Sequence, residues 1–94
     1  MNGRQFEWDP DKAEANRRKH GVTFDEAATV FDDPNVKTEY DERHSGDEDR
    51  WLVIGLSSRL RLLAVAYTKR DETFRLISAH RATKAETRRY TDAG

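Results

Sequence analysis

Only a few side chains in this sequence can move a proton near neutral pH: His20, His44 and His80, with Glu86 and Tyr90 spaced four apart and so on one face of a helix. There is no cysteine. That excludes a disulfide framework, a thiolate zinc site and a cysteine nucleophile. No ligand set with metal spacing appears either. His44 lies among Asp41, Glu42, Asp47, Glu48 and Asp49, but this run lacks the alternation and terminal glutamate of an EF-hand and reads as a solvated acidic loop. The cations are more suggestive. Arg59 and Arg61 flank a turn between two apolar runs, Lys69 and Arg70 end the second run, Arg75 starts a third, and His80 and Arg81 finish it. Lys19 and His20 close an earlier helical segment, where positive charge complements the helix carbonyls. The arrangement has two readings: a phosphate-binding surface at converging strand ends, or edge charges that prevent strand-to-strand aggregation.

Cleaving RNA without a metal needs three tasks: a base for the 2′-hydroxyl, positive charge for the phosphorane, and an acid for the departing 5′-oxygen. Arginine suits the second task, because its planar fork bridges two phosphate oxygens. His80, next to Arg81, is the leading acid or base, with Glu86 and Tyr90 as further candidates. Each has a plainer role available. Glu86 completes a capping box, Tyr90 can simply bury its ring, and a histidine at a strand end is commonly just hydrogen-bonded.

These groups must be positioned by short elements. Phe6-Glu7-Trp8 is a short strand or an aromatic anchor. Asp9 caps a helix with Pro10 at its first position, running roughly to His20, and Gly21 suits the left-handed turn beyond. Thr23 to Glu26 reads as a capping box opening a second helix with Phe24, Ala27, Ala28 and Phe31 on one face, which the Asp32 to Asn35 stretch stops. Val36 to Tyr40 alternates as a strand, Asp41 to Arg50 is a polar loop, and the apolar runs Trp51 to Leu56, Leu60 to Thr68 and Phe74 to Ala79 are joined by short turns. That predicts an antiparallel meander covered by the early helices. Thr83 to Glu86 is a second capping box, opening a closing helix through about Tyr90. The predicted class is α+β, an antiparallel sheet with two N-terminal helices and one C-terminal helix in the order (β)ααββββα.

At 94 residues, with 35% hydrophobic and 37% charged, the chain has room for one domain spanning 1–94 and a small core. No apolar run approaches the length of a membrane span or forms a signal peptide, so an intracellular, membrane-free protein is expected. The net charge of -1 conceals a division. Residues 1–49 hold 7 Lys/Arg against 14 Asp/Glu, whereas residues 50–94 hold 10 against 4. On charge alone, the nucleic-acid question therefore belongs to the second half.

The ordered set Phe6-Glu7-Trp8-Asp9-Pro10, Lys12-Ala13, Asn16, Lys19-His20-Gly21-Val22, Phe24, Glu26-Ala27, Val30-Phe31 and Asp33-Pro34 resembles the BrnT-type toxins of bacterial toxin–antitoxin pairs. Arg50, Ile54-Gly55, Arg61, Thr68, Arg70, Arg75, Ile77-Ser78-Ala79, Ala82, Glu86 and Tyr90 continue the pattern over nearly the whole chain. The resemblance implies a RelE/ParE-like fold and a cytoplasmic bacterial endoribonuclease that inhibits translation. It also implies a BrnA-type ribbon-helix-helix antitoxin as partner, with DNA reached only through that antitoxin, and no cofactor. On this basis Arg70, His80, Arg81, Glu86 and Tyr90 are expected at the catalytic centre, and Lys19, His20, Arg59, Arg61 and Lys69 on RNA. Three positions depart from the family pattern: His80 and Thr87 stand where arginine is usual, and Leu60 where glycine is usual. The first two remove charge from the expected RNA-contacting region, so an attenuated homologue that serves mainly to bind antitoxin is the alternative. The acidic stretch Asp32 to Asp49, with 8 Asp/Glu against 2 Lys/Arg, either faces basic antitoxin residues or folds toward the basic half. The first placement is favoured, because it gives both halves a partner.

Overall fold

Asp9 accepts a hydrogen bond from the Asp11 amide, Pro10 takes the first helical position, and Gly21 ends the helix at φ 70° with its amide bonded to the Arg17 carbonyl. This is helix α1, Pro10–His20, and both of its ends follow from residue type. The computed structural model describes residues 4–92. Their order is β1 (Gln5–Glu7), α1, α2 (Phe24–Ala28), β2 (Lys37–Tyr40), β3 (Trp51–Leu56), β4 (Leu62–Arg70), β5 (Thr73–Arg81) and α3 (Lys84–Asp92). Helix α2 tightens into a 3-10 turn over Thr29–Asp32, and another such turn, Glu42–His44, lies in the polar loop. The five strands form one sheet in the order β1-β5-β4-β3-β2. Strands β2 to β5 make the expected antiparallel meander, while β1 adds to the far edge parallel to β5, pairing Phe6 with Phe74. The α+β class and the order of elements agree with the sequence.

One sheet face carries the main core. Val22, Phe24, Ala27, Val30 and Phe31 pack there on Val53, Leu63, Val65, Tyr67, Leu76 and Ala79. Phe31 stacks on Phe74 with ring centroids 5.1 Å apart and meets Tyr67 edge-on at 5.2 Å, and Phe6 joins them, so the leading aromatic is both strand and anchor. Gly55 is required by this packing, since a Cβ there would lie 2.8 Å from the Val36 side chain and 3.2 Å from the Val30 carbonyl. On the opposite face the fully buried Ile54 and Ala64 lie beneath α3.

Two local expectations are corrected. Thr23 does cap α2 by accepting from the Glu26 amide at 3.1 Å, but Glu26 does not complete the box. Its buried carboxylate turns inward to Ser57 Oγ at 2.7 Å and to the Arg61 guanidinium. Strand β4 begins at Leu62 rather than Leu60, because Leu60, 78% exposed, closes the β3–β4 turn with a φ of 62°. A β-carbon is disfavoured in that conformation and leucine gains no burial to offset it. Leu60→Gly is therefore expected to stabilise the fold by about 1 kcal/mol, the steric relief outweighing the greater freedom of glycine in the unfolded chain. Urea unfolding checks this, and a destabilised variant would refute it.

Candidate active site

Helix α1 is almost wholly polar, and one buried side chain docks it. Asn16 donates to the carbonyls of Val22 and Ala79, each at 2.9 Å, and accepts from the Ala79 amide at 3.0 Å. Strand β1 pairs with β5 only over Thr73 to Arg75, so Asn16 satisfies the edge further along as a strand would. This fixes the end of α1 beside the end of β5. The His20 and His80 rings consequently come to 6.0 Å between centroids, their planes inclined at 51°. Neither the separation of 60 residues nor the polarity of α1 announced that meeting.

Helix α3 supplies the third group. The second capping box forms in full, with Thr83 Oγ1 accepting from the Glu86 amide at 3.1 Å and Glu86 Oε1 accepting from the Thr83 amide at 2.9 Å. Capping does not exhaust Glu86, whose two oxygens also lie 2.9 and 3.2 Å from His80 Nε2. Burial raises the Glu86 carboxyl, but the Thr83 amide and His80 more than offset it, leaving it below the usual carboxylate range. An ionised carboxylate only accepts, so Nε2 must carry the hydrogen, and in the neutral ring Nδ1 holds the lone pair. A carboxylate orienting an imidazole, with a second imidazole alongside, can accept one proton and deliver another.

The other predicted residues divide. Lys19, next to His20, and Arg81, at the end of β5, are exposed at the same end of the sheet. Arg59 is exposed in the neighbouring turn, 3.9 Å from Glu26. Arg61 is also at this end but is committed elsewhere. Its Nε donates to Glu26 at 3.0 Å and its Nη2 to the Gly21 carbonyl at 3.2 Å, so it braces the end of α1. The Tyr90 hydroxyl donates to Asp33 at 2.6 Å, which pushes the phenol up to about 12, and since Asp33 also accepts from the Leu56 amide at 2.8 Å, it ties α3 to the end of β3. The expected single pocket of arginines does not form. Arg70 lies at the opposite end of β4, six residues or ~20 Å beyond Ala64, the partner of His80. Lys69 is there too, 5.5 Å over the Phe74 ring. In an antiparallel pair, the start of β4 meets the end of β5, so Arg61 and Arg81 share one end while Arg70 and Arg75 share the other.

The acidic stretch is also placed differently from the favoured expectation. Glu39 pairs with Arg89 of α3 and Glu48 with Arg70, so it folds onto the basic half. His44 bonds Asp41 within the polar loop, and among the described residues no group of three or more His, Asp or Glu side chains is arranged to hold a metal ion. No described helix is long and apolar enough to cross a membrane.

The fold and sequence both have known counterparts. Among solved structures, the 1.1 Å crystal structure of the Brucella abortus ribonuclease toxin BrnT is similar, with a TM-score of 0.68 at 23% identity, over 86% of this chain and 99% of that one. No match is found among curated proteins. A family model described as the ribonuclease toxin BrnT of type II toxin–antitoxin systems matches residues 8–86. With nearly the whole described chain inside that match, the protein belongs to the BrnT family of ribonuclease toxins.

Proposed function

We propose that this chain is a metal-independent endoribonuclease that cleaves by attack of the 2′-hydroxyl, with His80 and His20 as its acid–base pair. His80 Nδ1 takes the 2′-hydroxyl proton while Nε2 stays anchored on Glu86. The 2′-oxygen bonds to phosphorus, the bond to the 5′-oxygen breaks, and the His20 imidazolium protonates that oxygen, giving a 2′,3′-cyclic phosphate and a free 5′-hydroxyl. Lys19 and Arg81 attract the phosphates on either side. The observation that carries this reading is the His80–Glu86 contact beside His20. His80 thereby takes a chemical role in the position where an arginine is usual in the family resemblance. Glu86 orients it, and Tyr90 contributes through the fold.

Family membership supports the biological setting. The chain acts on RNA in the bacterial cytoplasm, inhibits translation and is neutralised by a BrnA-type ribbon-helix-helix antitoxin. The complex represses its own operon through the antitoxin's DNA contacts. Incubation of the purified chain with RNA in excess EDTA is expected to yield fragments with cyclic phosphate ends. If wild type is inert but His80→Arg cleaves, then histidine attenuates the enzyme and the acid–base assignment fails. Inertness of both, together with unaffected growth when the chain is expressed without antitoxin, would leave only an antitoxin-binding role.

A further inference from the structure

Pleat parity places Ala64, Ala66, Thr68 and Arg70 of β4 on the sheet face that carries α3, together with their β5 partners His80, Ser78, Arg75 and Thr73. Helix α3 covers the part of that face at Ile54 and Ala64, next to His80. Ala66 and Ser78, one step further along, are small and half-buried. Beyond them stand two guanidinium groups, with Arg75 about 13 Å from the His80 level, four residues along β4. A strip of small side chains thus leads from the candidate reacting centre to a cationic end. Both arginines there hold carboxylates. Arg75 donates to Glu7 at 3.0 Å, and Arg70 grips Glu48 with Nε on one oxygen and Nη2 on the other, the latter at 3.1 Å. A two-pronged grip on a carboxylate is the geometry in which arginine also holds a phosphate. Glu48 belongs to the polar loop and lies across the end of the strip.

We infer that Arg70 and Arg75 form a second phosphate subsite for RNA, a few nucleotides from the bond that is cut, and that Glu48 occupies it in the free protein as a stand-in for phosphate. The inference rests on the RNA-cleaving function proposed above and assigns Arg70 to substrate holding rather than to the reacting atoms. The exposed Glu48–Arg70 pair is worth little by itself, so RNA displaces the carboxylate readily, at a loss of affinity.

Binding of a fluorescent 2′-O-methyl RNA oligonucleotide, which lacks the attacking hydroxyl, separates this claim from catalysis. Glu48→Gln is expected to tighten binding about three- to fivefold, the equivalent of losing one exposed ion pair. Arg70→Ala should weaken it and flatten the salt dependence by about one unit of slope. Asp47→Asn makes the same charge change on the same loop and should give less than half the gain. In the Arg70→Ala background, Glu48→Gln should give no more than Asp47→Asn does. An unchanged affinity in Glu48→Gln, an equal gain in Asp47→Asn, or a full gain that persists without Arg70 would overturn the subsite, each variant being checked for native circular dichroism. Cleavage of ordinary RNA by wild type, combined with any of those results, overturns the subsite alone. Failure of wild type to bind either RNA overturns the nuclease reading with it.

Discussion

His80→Ala is expected to lower RNA cleavage about a hundredfold or more, or ~3 kcal/mol of transition-state stabilisation, while leaving the fold intact. His80 is partly exposed and packs no core, so its removal touches the chemistry, the contact to Glu86 and the ring contact with His20. His20→Ala should lose a comparable factor, and the double variant far less than the product, because both act on one proton-transfer sequence. Glu86 distinguishes positioning from scaffolding. Glutamine still caps α3, since it can accept from the Thr83 amide, but it cannot hold the imidazole as a carboxylate does. Glu86→Gln should therefore lower kcat with KM nearly unchanged and the melting temperature close to wild type. Wild-type rates in His80→Ala would end the acid–base assignment. A rate loss in Glu86→Gln that merely tracked lost stability would reduce Glu86 to a cap.

The largest effect on stability is expected from Arg61→Ala. Glu26 is buried, and Arg61 is the main reason its carboxyl lies below the usual range. Burial opposes this and Ser57 assists. Removing the guanidinium leaves a buried carboxylate with only Ser57 and the more distant, exposed Arg59, at about 3 kcal/mol, the lower end of the range because Arg61 is itself partly exposed. For a domain of this size that is a fall of roughly 12 °C or more in Tm. The pH dependence has a definite sign. The folded pKa of Glu26 is depressed, so the pair's contribution is complete above the ordinary value of 4.5 and disappears as pH falls through the folded value. The gap between wild type and Arg61→Ala should accordingly be widest near neutrality and close in acid. Replacing both partners with apolar residues of similar volume should recover much of the loss. A variant as stable as wild type but deficient in RNA binding would return Arg61 to the substrate.

Much of the scaffold was legible because its signals are local. Asp9-Pro10 and Gly21 bound α1, Thr83 and Glu86 bound α3, and three apolar runs with short turns could form little except a meander. The candidate site was only half legible. His80 and Glu86 are six residues apart across one strand-to-helix turn, so their pairing lay within reach of a local reading. Placing Arg61, Arg70 and Arg81 together failed because a nine-residue strand separates its two ends by about 26 Å, and antiparallel neighbours exchange ends. A register irregularity between Ala66 and Tyr67 adds to this. It puts Leu76 and Ala79, three residues apart, in the same core, which straight alternation forbids.

From residue order alone come the identity of the elements, the capped ends of α1 and the capped start of α3, the family and the types of group available for phosphate and proton chemistry. Each depends on interactions spanning at most a few residues or on a pattern spread along the whole chain. Tertiary structure decided which of those groups meet. Asn16 satisfies the open edge of β5 and so sets His20 beside His80, Arg61 is drawn inward by a buried Glu26, and Glu48 reaches across to Arg70. Such meetings follow from strand register and pleat parity, which are fixed only when the whole sheet closes on its core.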